Sequence, residues 1–355
     1  MTIAIDCRFI NASGIGVYLK GCLPWFLKSN NSFFLIGNKE QLKLYSLYNN
    51  VSIIDCNIKP FSVKELFFFP SYIKKQINKT DFFYSPYFNI PSGLKVPVFT
   101  TIHDIIFPDM PEITSKIGLF ARMWFYRRAY KKSKKIFTVS EFSKSRIEHH
   151  LGTSKPVIVT YSAIGQAFLE YRKNIHNIKK KETIIFIGNI KKHKGLECLL
   201  EAYSHVKKEG LNYKLIIIGN KDNFRSSDNL IFYKIKEIGD DSVTFTGFLT
   251  DDSLMELLSE ASLLVQPSLY EGFCLPPLEA IVLGTNVLIS DIPVLKEIYK
   301  DFPVSYFQAG NPIDLKYKII HILQDKNNTY PVLSNEQLLK YNFEKSTLTI
   351  LGELN

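Results

Sequence analysis

The chain has 355 residues, too many for one small domain and suited to two of ordinary size; 46% hydrophobic and 22% charged residues allow a real core and argue against disorder. Its apolar runs are short and broken by Pro, Gly or Glu, which speaks against a membrane-spanning helix. The formal net charge of +10 is uneven: residues 1–165 hold 22 Lys/Arg against 10 Asp/Glu, and residues 166–355 hold 22 against 24.

The first half is therefore expected to face something anionic: nucleic acid, an acidic lipid surface or a phosphorylated substrate. The opening MTIAIDCR brings in charge before any apolar signal region could form, so no secretory signal is expected. Cysteines 7, 22, 56, 198 and 274 are scattered and never spaced C-x-x-C. That pattern suits a reducing cytosol and predicts neither a disulfide framework nor a thiolate metal site.

In chain order, β-branched and aromatic runs predict strands at 3–5, 33–36, 51–54, 82–85, 96–102, 136–139 and 156–159, with helices at 17–28, 63–78, 116–132 and 141–150. Residues 170–182 (EYRKNIHNIKKKE) are polar and lysine-rich and read as a linker. Beyond them, strands are predicted at 183–187, 214–218, 243–245, 262–266, 286–289 and 303–306, and helices at 196–208, 253–259, 277–283 and 313–323. The β-α alternation predicts two doubly wound parallel sheets in series, facing across a cleft. The expected division is 1–169, a linker at 170–182, a second domain at 183–335, and a terminal helix at 336–355 packing back on the first domain.

Open α/β sheets bind ligands at the carboxyl ends of their strands, so the loops there matter most. After the first strand comes Asn11-Ala12-Ser13-Gly14-Ile15-Gly16. It lacks the third glycine of a dinucleotide fingerprint, and an ordinary tight turn explains it equally well. The strand 96–102 ends in His103-Asp104, a polar handle whose ring Asp104 could orient; alone, it reads more simply as a satisfied structural histidine. After 183–187 comes Gly188-Asn189-Ile190-Lys191-Lys192-His193-Lys194-Gly195, where Gly188 permits close backbone approach. Lys194, nearest the following helix start, is the best placed to hold a phosphate, and Lys191 and Lys192 read as solvated. After 262–266 comes PSLYEGFCLPPLEA, with Glu271 in the loop and Glu279 on the first turn of the next helix, seven residues lying between them. Carboxylates accept well from paired sugar hydroxyls, although a dipole-compensating Glu beside a surface Glu gives the same spelling.

These loops jointly resemble the retaining, nucleotide-sugar-dependent glycosyltransferases of family four, which have the GT-B fold. The most specific stretch is Glu271–Glu279, which looks like the family's E-x7-E motif; IGNIKKHKGLECLLEAY and TVSEFSKSRI resemble further signatures, and TIHD and GIGVY match more loosely. The resemblance implies that Glu279 holds the donor ribose and Glu271 the sugar ring. It implies that Gly272, Phe273, Cys274 and Leu275 line the donor, with backbone amides on the sugar and diphosphate. It also implies that Lys194 neutralises the leaving diphosphate beside Gly188 and His193, that His103 stands at the reacting face of the sugar, and that Gly14 and Gly16 border the diphosphate. His103, Lys194 and Glu271 would be the catalytic set. Many relatives have Gly where Cys274 stands and Arg where His193 stands.

With no D-x-D pair at a strand end and no His/Cys cluster of ligand spacing, no metal or other cofactor is expected. The implied activity is hexose transfer, first from GDP-mannose and next from a UDP-hexose or another GDP-sugar, to a lipid-diphosphate-linked oligosaccharide of a bacterial surface polysaccharide. A non-catalytic sugar-nucleotide-binding protein of the same fold is the competing class.

Residues 116–135 carry eight Lys/Arg and no acid, and Leu119, Met123, Tyr126 and Tyr130 share one helical face. The segment suits an anionic membrane surface and equally a packed helix with a solvated side. Nucleic acid is not an expected partner, since no helix-turn-helix, paired RNP aromatics or zinc spacing is present. The expected location is cytoplasmic, peripheral on the inner face of the membrane.

Overall fold

The computed structural model describes residues 1–174, 178–219, 229–325 and 330–354. The chain forms two compact units, one of residues 1–163 with the C-terminal residues from Tyr341 onward, the other of Ile164–Lys340.

The first unit is built on seven parallel strands: β1 (Thr2–Asp6), β2 (Ser32–Gly37), β3 (Val51–Asp55), β4 (Phe82–Ser85), β5 (Val98–Thr101), β6 (Ser133–Thr138) and β7 (Val157–Val159). Their order is β3-β2-β1-β4-β5-β6-β7, with Ile3 opposite both Phe33 and Phe82. The interior strands are buried on both faces because helices cover each side, which is why they read as continuous apolar runs rather than alternating ones.

The second unit has six parallel strands: β8 (Lys181–Ile187), β9 (Lys214–Ile218), β10 (Val243–Gly247), β11 (Ala261–Gln266), β12 (Asn286–Ser290) and β13 (Ser305–Phe307). Their order is β10-β9-β8-β11-β12-β13. The helix Leu196–Lys208 buries Leu196, Leu199, Leu200, Tyr203 and Val206 against this sheet, an i, i+3, i+4 stripe.

Both sheets are doubly wound, and in each the strand order reverses once: between β1 and β4 in the first, between β8 and β11 in the second. Those reversals open a crevice beyond the strands' carboxyl ends.

Several boundaries differ from the sequence expectation. The expected helix 63–78 is two, Val63–Phe67 and Ser71–Ile77, because Pro70 has no N–H to continue the ladder and pushes Phe69 out of the helical region. The expected linker 170–182 begins inside a helix, Gln166–Asn174, and ends inside β8; residues 175–177 lie outside the described residues. The unit boundary falls earlier, at Ala163/Ile164. The polar composition that suggested a linker is that of an amphipathic helix with Phe168 buried.

The expected terminal helix 336–355 is likewise two, Asn335–Lys340 and Phe343–Glu353, the second capped by the Asn342 side chain on the Glu344 N–H at 2.7 Å. Phe343–Glu353 packs on the helix Ile15–Leu27. Gly21 makes that possible, since a Cβ there would sit 2.3 Å from the Phe343 ring. Lys135 Nζ on Glu353 and Ser346 Oγ on the Tyr161 carbonyl, each at 2.7 Å, fasten the helix further.

Candidate functional site

The reversal point of the second sheet collects the expected donor residues of that unit. The loop after β8 forms a short 3-10 turn, Lys192–Lys194, closed by Gly195. Gly195 has φ +70°, and a Cβ on it would lie 1.9 Å from the Pro267 carbonyl, so only glycine fits. This contact presses the loop after β8 onto the loop after β11, and the Leu269 N–H donates to the His193 carbonyl at 2.7 Å. Lys194 Nζ is thereby brought 2.7 and 2.8 Å from the two carboxylate oxygens of Glu271. Ser268 Oγ donates to Glu271 at 2.7 Å and accepts from Gln266 Nε2 at 3.0 Å, so a buried chain of polar groups fixes the carboxylate.

Burial alone would raise the Glu271 pKa, but the Lys194 charge and the hydrogen bonds from Lys194 and Ser268 outweigh it and hold the carboxyl below its usual range. His193 goes the other way. Burial, then the nearby Lys194 and Lys191 charges, lower its pKa to about 4, so the imidazole is neutral beside the charged pair.

The loop then turns through Gly272, Phe273 and Cys274. Cys274 has φ +72°, in the left-handed region that glycine occupies freely and other residues only at a cost. The Tyr299 hydroxyl donates to the Cys274 carbonyl and accepts from the Leu278 N–H, locking the turn to the helix Pro276–Val282. Leu275 is that helix's N-cap and Glu279 lies in its first turn. Burial, followed by the Asp251 charge, raises the Glu279 pKa to about 7, and its carboxylate has no hydrogen-bond partner among the described residues.

Gly188, expected to allow close approach, has only ordinary contacts for an added Cβ, the nearest at 3.4 Å. The tight position is its neighbour Gly219 at the end of β9, where a Cβ would lie 2.2 Å from the Gly188 carbonyl. Lys191 and Lys192 are exposed.

In the first unit, His103 follows β5 and is half-buried. Its Nε2 lies 2.8 Å from the Pro86 carbonyl in the loop after β4, and its ring meets Tyr18 edge-on at 5.0 Å. A carbonyl only accepts, so Nε2 carries the proton and Nδ1 is the free acceptor. Burial, opposed by the Pro86 bond, lowers the ring's pKa to about 4. The Pro86 carbonyl therefore orients the ring, and Asp104 accepts from the Ile106 N–H at 3.2 Å. Gly14 has φ +69° and open space where a side chain would stand, and it caps Ile15–Leu27. Gly16 is packed under its own loop, with a Cβ 2.6 Å from the Ile10 carbonyl. Its missing side chain thus serves the turn.

The sequence reading did not find the buried cluster at the first sheet's reversal point. Arg8 bridges Asp6 and Glu65 at 2.5 Å each, and Asn89 Nδ2 donates to both carboxylates at 3.0 Å. Its members lie up to 83 residues apart, so no local spacing reveals them. Ser268 and Gln266 were also missed; a polar Gln ending the apolar run ASLLVQ was the available signal.

The Leu119–Met123–Tyr126–Tyr130 face of the basic helix Lys116–Lys132 turns inward: Tyr126 and Tyr130 are buried and Met123 packs on the core. The solvent side carries different residues.

Two parallel doubly wound units in one chain are the GT-B architecture. Anabaena HepE in complex with UDP and glucose superposes with a TM-score of 0.72 at 16% identity over 100% of this chain and 99% of that one. The sucrose-phosphate synthase of Thermosynechococcus elongatus reaches 0.75, also at 16% identity, over 100% and 98%. Residues 59–165 match the family model "Glycosyltransferase Family 4" and residues 168–338 match "Glycosyl transferases group 1". The chain thus belongs to the GT-B glycosyltransferases of the family-four type.

Among similar curated proteins, O-antigen chain mannosyltransferase B of Escherichia coli is 28% identical over 68% of this chain and 64% of its own length. Serotype-specific mannosyltransferase WbdA of the same organism is 32% identical over 48% of this chain and 22% of its own. O-antigen chain mannosyltransferase RfbU of Salmonella typhimurium is 28% identical over 56% and 53%. The matches therefore span less than two thirds of these relatives' lengths.

Proposed function

We propose that the protein is a hexosyltransferase that moves mannose from GDP-mannose onto a hydroxyl of a lipid-diphosphate-linked glycan in surface-polysaccharide synthesis, with retention at the anomeric carbon. The observation that carries this reading is the Lys194–Glu271 pair at the second sheet's reversal point, with Glu279, which has no hydrogen-bond partner among the described residues, close behind it in sequence. The mannosyltransferase names of the relatives at 28–32% identity favour the donor sugar.

In this reading the bond between the anomeric carbon and the diphosphate oxygen breaks, and its electron pair leaves with the diphosphate. The acceptor oxygen bonds to the same face of the sugar, and its proton passes to the departing phosphate oxygen. Lys194, released from Glu271 by the arriving donor, neutralises the growing charge. Preorganised groups of this kind supply the largest share of such catalysis. Glu271, freed in turn, accepts from sugar hydroxyls, and Glu279 accepts from the ribose. The amides of Gly272, Phe273 and Cys274 face sugar and diphosphate, with Leu275 closing the loop; Gly188 and the neutral His193 border the phosphates. His103 Nδ1 is the acceptor offered to the sugar from the first unit, where Gly14 opens the first loop.

In this reading Lys194 and the loop amides carry the charge that a divalent metal would otherwise neutralise, so turnover should persist in EDTA; loss on chelation would overturn that part. A panel of GDP- and UDP-sugars read by release of nucleotide tests the donor. Release of GDP from GDP-mannose is expected, UDP release alone would correct the donor, and release from none would favour the non-catalytic sugar-nucleotide-binding alternative. A location at the cytoplasmic face of the membrane, where such acceptors are reached, completes the proposal.

A further inference from the structure

The helix Lys116–Lys132 turns a set of large apolar side chains outward. Ile117, Phe120 and Trp124 follow i, i+3, i+7 spacing and are 84%, 73% and 45% exposed. Singly exposed apolar residues are ordinary on a protein surface, but three on one face of one helix are not.

A second set lies on the short helix Val63–Phe67 and just beyond it, where Phe67 and Phe68 are 71% and 72% exposed. The two segments pack on each other: Phe61 meets Phe125 edge-on at 4.9 Å, and Ser92 joins the Glu65 carbonyl (3.4 Å) to Arg128 (3.2 Å). The same helix exposes Lys116, Arg127 and Lys131, none of which forms an ion pair among the described residues, and residues 116–135 contain no acid. Lys64 adds a further exposed cation beside Phe67.

Apolar side chains flanked by unpaired cations, in the half of the chain that carries the whole positive excess, match one surface in both respects. Acyl chains take up the apolar groups and anionic headgroups the cations. We infer that Ile117, Phe120 and Trp124, with Phe67 and Phe68, form a docking surface that inserts into the headgroup layer of an anionic membrane. This rests on the proposal that the acceptor is membrane-held, and it specifies which side chains enter. The occupant is a lipid surface rather than a second copy of the chain, because two copies meeting through this face would bring their cations together.

The test is flotation of the full chain with phosphatidylcholine vesicles with and without phosphatidylglycerol. Wild type should float only with the anionic lipid. F120S/W124S should lower the bound fraction roughly tenfold or more. K116Q/R127Q/K131Q should lower it by about fivefold per charge removed, and added salt should weaken wild-type binding the same way. All these positions are exposed, so the melting temperature and the lipid-free hydrolysis of donor should hold in both variants; F67S/F68S, on the other segment, gives an independent reading. Wild type left at the bottom of the gradient, or F120S/W124S floating as well as wild type, overturns the inference. So does a concentration-dependent dimer in sedimentation that the same variant disperses. A chain that hydrolyses donor without floating loses the docking surface and keeps its chemistry; one that floats but is inert on every donor keeps the surface and loses the chemistry.

Discussion

Lys194 Nζ sits 2.7 and 2.8 Å from the two carboxylate oxygens of Glu271, a residue 77 positions further along the chain. The two loops that carry them follow β8 and β11, the strands on either side of the reversal in sheet order. In the proposed reading, the lysine that would hold the diphosphate is paired with the carboxylate that would hold the sugar, and an arriving donor would exchange one partner for another.

Removing the cation should therefore have two separable effects. Lys194→Ala should lower kcat by roughly 10²–10³-fold, the usual cost of one preorganised charge-stabilising donor. It also leaves the buried Glu271 carboxylate unpaired, at a cost of about 3 kcal/mol. Because pairing lowers the Glu271 pKa, its stabilisation is present above the unfolded value and lost as pH falls through the folded one. Urea melts of wild type and variant should accordingly differ most at neutral pH and converge in acid. Equal melts at pH 7, or undiminished turnover, would contradict the assignment of Lys194.

Glu279 presents the opposite sign. Its pKa is raised to about 7, so the folded protein favours the neutral acid. That stabilisation is full below the unfolded value and is lost as pH rises through 7. Glu279→Gln should raise the unfolding free energy at pH 8 more than at pH 5, by roughly 2 kcal/mol after discounting for partial exposure, read from urea melts. The same change should weaken donor binding, since one acceptor for ribose hydroxyls becomes half a donor. In wild type, the donor KM should fall as pH rises through 7. A Gln variant that is less stable at pH 8 would show that the carboxylate is paired.

The glycine and cysteine positions separate backbone need from ligand need. Gly195→Ala should be severely destabilising, because its Cβ would overlap the Pro267 carbonyl at 1.9 Å and force apart the two loops that carry Lys194 and Glu271. Gly14→Ala meets no atom and should cost only about 1–2 kcal/mol for a left-handed backbone. Cys274→Gly removes that same conformational cost and should keep activity, with stability within about 1 kcal/mol of wild type because some buried side-chain contact is lost. Thermal melts of the three variants give the ranking.

His103 should not titrate through the physiological range. With burial setting its pKa near 4 and the Pro86 carbonyl taking the Nε2 proton, imidazole nitrogen NMR should show one neutral tautomer from pH 5 to 8. Any pH dependence of turnover near 7 then belongs to another group, Glu279 first. A His103 resonance moving between pH 6 and 7 would refute this.

The legibility of this protein was uneven for physical reasons. Strands buried on both faces announce themselves as apolar runs, and all thirteen predicted strand positions carry one. Helix ends were less visible: Pro70 and Asn342 each cut a stretch whose periodicity continued through them. The helices Asn229–Ile238 and Pro293–Tyr299 were not anticipated. The candidate residues Lys194, Glu271 and Glu279 stand out in the sequence because residue type and spacing lie within single loops. Ser268, Gln266 and Gly219 were not, because each matters only through a partner supplied by folding. Which side of Lys116–Lys132 faces outward was open in the sequence for a related reason: the helix has two apolar faces, and only packing selects which one is covered.

The amino-acid sequence by itself determined the two parallel sheets, the loops that bear chemistry, and the basic character of the first half, since all three follow from local periodicity, residue type and charge. The fold alone decided that Lys194 closes on Glu271, that Pro86 sets the tautomer of His103, and that Asp6, Arg8, Glu65 and Asn89 share one buried cluster. Such pairings are made by strand order, and strand order brings together residues that no local rule relates.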